Sequence, residues 1–175
     1  MRLATLVLMS LVAAPALSAQ SPAGENPRDA QVRMLENQRK LLLSMVDSMP
    51  EQHYRDRATP GQRDFAQQIH HAASAAVFIS TRAMGGERPT LPDTATAFNS
   101  RAGLRQFVSA SFDHMAALLK NQSASSRAEM FSLFGQQMPK WQVWDEIHTH
   151  TIWTAGQVVA NFRKHGMAPP PFAFF

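Results

Sequence analysis

Cysteine is absent from the 175 residues. That removes disulfides, thiolate metal ligands and lipoprotein acylation, so the chain must hold together through its core. Aromatic residues are scarce, at 9%, and β-branched runs are few. The abundance of Ala and Met instead favours helices over strands. Charge of either sign is limited: 17 basic and 13 acidic residues leave +4, which drops to +3 if Arg2 is removed with the N-terminal segment. That charge is too small and too scattered to argue for nucleic acid, despite a pI near 10.1. There is no internal repeat, GxGxxG, P-loop, GxSxG or HExxH, so dinucleotide, nucleotide, serine-hydrolase and zincin signatures are missing.

The one long apolar run, from Leu3 to Ala14, is too short to span a bilayer comfortably. With Arg2 before it and Pro15, Ala16, Ser18 and Ala19 after it, residues 1–19 read as a secretory signal peptide. The expected address is therefore periplasmic or extracellular, without stable membrane insertion after cleavage. Cleavage after Ser18 places Ala16 three positions back and cleavage after Ala19 places Leu17 there, and both stay open. Residues 20–175 then form one domain, long enough to bury about two-thirds of its unfolded surface.

Residues 21–25 form a polar leader. Asn26 and Pro27 read as N-cap and first helical position. From there Val32, Leu35, Leu42, Met45, Val46 and Met49 recur at helical spacing up to Pro50. After a polar link with a Pro-Gly turn, a second helix is expected over 63–84, ended by Gly85 and Gly86. Its apolar face runs through Phe65, Ile69, Ala72, Ala73, Ala76 and Ile79, with Val77 and Phe78 widening it. His70 and His71 sit in its middle turns. Residues 87–98, with Pro89 and Pro92, read as a long, lid-like loop. A third helix is expected over 100–121, an irregular Ser-rich stretch with room for a short helix after it, and a fourth helix over 141–165 capped by Gly166. Residues 172–175, FAFF, are free to pack back on the bundle or to meet a second copy in a homodimer. The expected architecture is an all-α four-helix bundle with one long crossing connection.

The last helix is where chemistry concentrates. At about 100° per residue, Glu146, His150, Thr154, Gln157 and Asn161 share a stripe without Lys or Arg. Trp144, Ile147, Val158, Val159 and Phe162 fall on the other side. The stripe suits an internal polar seam, and imidazole beside carboxylate suits a divalent ion. In a chain without thiols, 7 histidines are the main borderline ligands on offer. Periodicity does not separate His70 from His71. His148 lies nearer Ile152 and Val159 and reads as a packed or surface histidine. Asp113 and His114 are adjacent, hence about 100° apart on a helix, and do not form a dyad. Trp141, Trp144 and Trp153 read as core and rim packing, with Trp153, Gln157 and His70 also candidates for a pocket wall. Arg163 suits the C-terminal turn of its helix.

With His71, His150 and the run GQVVANFRKHGMAPP in view, the chain resembles the DinB-like superfamily of four-helix-bundle proteins over nearly all of residues 20–175. The run MPEQHYRDRATPGQRDFAQQIHHAA is similar to that family's passage from its first to its second helix. The resemblance implies one divalent metal, nickel or zinc, bound by a histidine of the second helix and two of the last. It places the first ligand at His71, six residues beyond Phe65, and the second at His150. The trailing pattern matches at Gly156, Gln157, Arg163, Gly166, Pro169 and Pro170. The third ligand position is Thr154, and a neutral hydroxyl is a poor substitute for imidazole.

Three outcomes follow. Glu146 replaces the lost imidazole; or His71, His150, Thr154 and Gln157 form an uncharged core network; or the site is built from other groups such as His114 or His148, or there is no internal polar cluster at all. With metal, the resemblance implies hydrolase or thiol S-transferase chemistry on a small molecule, although an exported protein is removed from the reduced thiol pool. Without it, the expectation is a non-catalytic binding or stress-response module.

Overall fold

Asn26 and Pro27 start the first helix as a cap should. In the computed structural model, which describes residues 26–171, Asn26 Oδ1 accepts the Arg28 N–H at 2.9 Å and Pro27 opens α1, Pro27–Ser48. The signal-peptide segment, the 21–25 leader and the FAFF tail lie outside the described residues. α1 turns Leu35, Leu42, Met45 and Val46 into the core and stops before Pro50. A short 3-10 turn, Glu51–His53, leads to Tyr54, which is buried and donates its hydroxyl to the Val46 carbonyl at 2.9 Å.

α2 spans Phe65–Met84, two residues shorter at its start than expected. Asp64 is extended and caps the helix: its side chain accepts from Gln67 N while the Gln67 side chain accepts from Asp64 N. That reciprocal capping box satisfies two orphan donors and fixes the helix start. At the other end Gly85 adopts φ 77°, the left-handed cap a side chain would resist.

The 87–98 segment differs from the expected loop. Its second half folds as α3, Thr94–Asn99, because Asp93 caps Thr96 N at 3.1 Å and Ala97 is fully buried. Ser100 then caps α4, Arg101–Asn121.

After α5, Ala124–Ala128, the irregular stretch holds a hairpin that helical periodicity did not suggest. β1, Met130–Leu133, pairs antiparallel with β2, Gln136–Pro139, placing Phe131 opposite Met138. The two-residue turn is Phe134 and Gly135, at φ 49° and 87°. Two positive φ values are what a tight hairpin turn requires, although Phe is an unusual occupant. α6, Lys140–Lys164, is the last helix among the described residues.

α2 packs on α4 and α6, and α1 packs on the same two helices. The result is an all-α four-helix bundle in which the 49–64 link crosses one diagonal and the 122–139 passage crosses the other. Fully buried Leu42, Phe65, Ile69, Leu104, Phe112 and Phe162 meet at its centre. Among the described residues no helix is long and apolar enough to cross a membrane.

Candidate functional site

The packing of α2 on α6 sets His71 against His150, with ring centroids 5.4 Å apart and the rings edge to face. His150 Nδ1 is buried and has no hydrogen-bond partner. Beneath the pair Gln68, which is buried, donates its amide to the Thr154 carbonyl at 3.3 Å and to Gln157 Oε1 at 3.2 Å. Gln68 was not singled out from sequence. It lies one turn before His71 and Ala72, the spacing that makes it share their face. Thr154, where the resemblance places the third ligand, is 2% exposed and so lies inside the bundle.

The stripe on α6 is only partly an internal seam. Thr154 and Asn161 are buried, His150 and Gln157 half-buried, and Glu146 exposed. Trp153 projects outward at 74% exposure, whereas Trp144 is core and donates Nε1–H to Gln122 at 2.9 Å. His70 turns away from His71, stacking on Phe107 at 4.1 Å and meeting Phe98 edge-on. Asp113 pairs with Arg39 at 2.7 Å while His114 Nε2 meets Thr81 Oγ1 at 2.8 Å, so these adjacent residues do face apart. His148 is half-buried.

Electrostatics make the central pair neutral. Burial pushes the His71 pKa down, and the Arg63 cation and His150 add to that shift. Burial also lowers His150, again with Arg63 contributing. His70 is lowered by burial first and by His71 second. Desolvation and like charge both disfavour imidazolium. Arg63, absent from the sequence-based candidates, therefore works against protonation and against any added cation.

One opening adjoins His71, and a groove next to it is lined by His70 but by neither member of the pair. The opening, of about 270 Å³, is lined by Arg63, Gln67, His70, His71, Ser74 and Phe98. The groove, of about 810 Å³, shares His70 and Ser74 and continues along α2 past Val77, Phe78 and Thr81 to Leu91. The stretch expected to be lid-like thus supplies a wall of this groove.

Among the described residues no third His, Asp or Glu ligand atom converges with those of His71 and His150. Catalytic zinc sites use three protein ligands beside the open position. Here a buried threonine occupies the third place, and Glu146 faces solvent. Among the described residues, the group of three His, Asp or Glu side chains whose ligand atoms converge within 4.8 Å lies elsewhere: His53, Asp56 and His165. Spacing could not reveal it, because its members come from the α1–α2 link and the end of α6.

The chain is similar to known proteins in two comparisons. The DinB superfamily model matches residues 34–142, a span that includes His71 and ends before His150 and Thr154. The crystal structure of a DinB-like protein from Bacillus cereus ATCC 10987 superposes with a TM-score of 0.61 at 18% identity, covering 83% of this chain and 97% of that one. At that identity the likeness speaks for the fold. No curated protein matches the chain.

Proposed function

The chain belongs to the DinB superfamily, and from that premise we propose that it is an exported, non-catalytic binding module that has lost the metal chemistry of the His71–His150 position. The observation that carries this is Thr154: the third ligand place is a buried hydroxyl beside two neutral imidazoles, with Arg63 disfavouring a cation. Beside it, the Gln68 amide fastens α2 to α6 through the Thr154 carbonyl and Gln157 Oε1.

The binding surface is the groove along α2 that His70 lines. Val77, Phe78, Leu91 and Phe107 offer an apolar floor, and Arg82 and Arg88 stand at its edge. Asp93 also lines it, but its carboxylate is committed to capping α3. The ligand chemistry that matches is a small molecule with an apolar body and an anionic end.

The anionic apolar dye 1-anilinonaphthalene-8-sulfonate is a suitable probe. Saturable fluorescence at one site per chain is expected, weakened about two- to fivefold by Arg82→Gln with Arg88→Gln, the scale of exposed charge pairs. Absence of saturation, or binding indifferent to both Val77→Arg and the arginine changes, would rule the groove out. Export is tested separately by N-terminal sequencing of protein recovered from the periplasm or medium. A chain beginning at Ala19 or Gln20 is expected, and an intact Met1 would refute it.

One observation favours metal-dependent chemistry instead: the buried, unpartnered Nδ1 of His150. Nickel or zinc, as a Lewis acid, would support hydrolase or thiol S-transferase activity on a small-molecule substrate. Elemental analysis of untagged protein dialysed against trace nickel and zinc decides the matter. Metal that disappears in both His71→Ala and His150→Ala restores that alternative and overturns the binding-module assignment.

A further inference from the structure

We propose that His53, Asp56 and His165 form a second, independent site for one divalent transition-metal ion, at the end of the bundle where the α1–α2 link meets the C-terminus of α6. Two imidazoles and one carboxylate are a donor set that suits zinc or nickel. Three protein ligands leave a further coordination position open to solvent.

The three donor atoms are already gathered at one point of the surface. Asp56 Oδ2 lies 3.0 Å from His53 Nδ1 and 3.2 Å from His165 Nε2. All three ligand atoms fall within 4.8 Å of one another. Donors bound at about 2.1 Å around a tetrahedral ion are roughly 3.4 Å apart, so the separations already match, and binding requires the stacked rings to tilt until both lone pairs meet at one ion. His165 Nε2 is buried and makes no well-directed hydrogen bond despite its nearness to Asp56, which leaves its ring nitrogen available. The His53 and His165 rings stack at 3.7 Å with 21° between their planes, bringing their nitrogens to the same carboxylate oxygen.

The backbone holds all three ligands in place. His53 ends the 3-10 turn, and Asp56 N donates to its carbonyl at 3.1 Å. The Asp56 carbonyl accepts from Phe65 N at 3.2 Å and from the buried Asn161 amide at 2.9 Å. His165 is the C-cap of α6 and donates its N–H to the Phe162 carbonyl. Such support from surrounding groups is what orients metal ligands. An ion bound here clips the α1–α2 link to the end of α6, across more than 100 residues of sequence.

The test is calorimetric titration of zinc chloride into chelator-stripped, untagged protein. One zinc per chain is expected, with a higher melting temperature. Affinity is expected to fall at least tenfold in His53→Ala, His165→Gln and Asp56→Asn, and to be unchanged in His71→Ala and His150→Ala. Asp56→Asn and His165→Gln keep size and polarity, and circular dichroism verifies that they remain helical. No binding, or binding that survives these folded variants, overturns the site. Zinc lost only with His71 or His150 also overturns it and instead revives the metal-dependent alternative above.

Discussion

At the scale of single residues, the dominant feature is a set of histidines held neutral. Burial lowers the pKa of His70, His71, His114, His148 and His150 from the ordinary 6.5. The unfolded chain then binds more protons than the folded one between the folded values and 6.5, so stability rises with pH across that window. It is fully present above about 6.5 and declines as pH falls through that value toward the folded pKa values. Melting temperatures by circular dichroism are expected to drop steadily from pH 7 to 5, less steeply in His150→Gln. A pH-independent melt would contradict the neutral pair. The imidazoles themselves were legible in the sequence. Their neutrality was not, because it depends on desolvation and, for His71 and His150, on Arg63, both consequences of packing.

At the scale of elements, caps and turns decide where each segment begins and ends. Gly103, in the first turn of α4, lets the α3 backbone lie against it. A Cβ there would meet the Thr96 carbonyl oxygen at 2.4 Å and carbon at 2.7 Å. Gly103→Ala is therefore expected to destabilise by about 1–3 kcal/mol, read by urea denaturation, as overpacking against an unyielding backbone does. Equal midpoints for variant and parent would show that α3 moves freely.

The hairpin turn predicts the opposite sign. Phe134 is 80% exposed and sits at φ 49°, a conformation that suits Asn better. Phe134→Asn is expected to stabilise by up to about 1 kcal/mol, and a lower urea midpoint would refute it. α1, α2, α4 and α6 were legible because each carries a long periodic apolar face and an Asn, Asp, Ser, Pro or Gly boundary. The hairpin was not legible, since four-residue strands give too few alternations, and Phe-Gly is not a usual turn pair.

For the molecule as a whole, α2 is the helix to which the bundle and the polar pair are both fastened. Phe65 at its start is fully buried and touches Tyr54 of the link, at 5.1 Å between centroids, and Phe162 of α6, at 5.9 Å. Phe65→Ala is expected to cost about 3–5 kcal/mol, since it opens a cavity where three segments meet. A loss below about 1 kcal/mol in chemical denaturation would mean that this junction repacks. The same junction positions Asp56 and His165, so the variant should also weaken zinc binding at the end of the bundle.

The sequence alone was sufficient for the all-α class, the four long helices and the Asn26, Ser100 and Gly85 boundaries, whereas periodicity left His70 and His71 unseparated. Periodicity, Pro and Gly are local properties, and each of these features is local. Only the tertiary structure decided which polar groups meet. It put Gln68 under Thr154 and Gln157, left Glu146 in solvent and turned His70 toward Phe107. It also joined His53 and Asp56 to His165, residues that share no helix face. Contacts between distant segments are set by how the apolar faces pack, and side-chain spacing along one helix carries no record of the partner it will find.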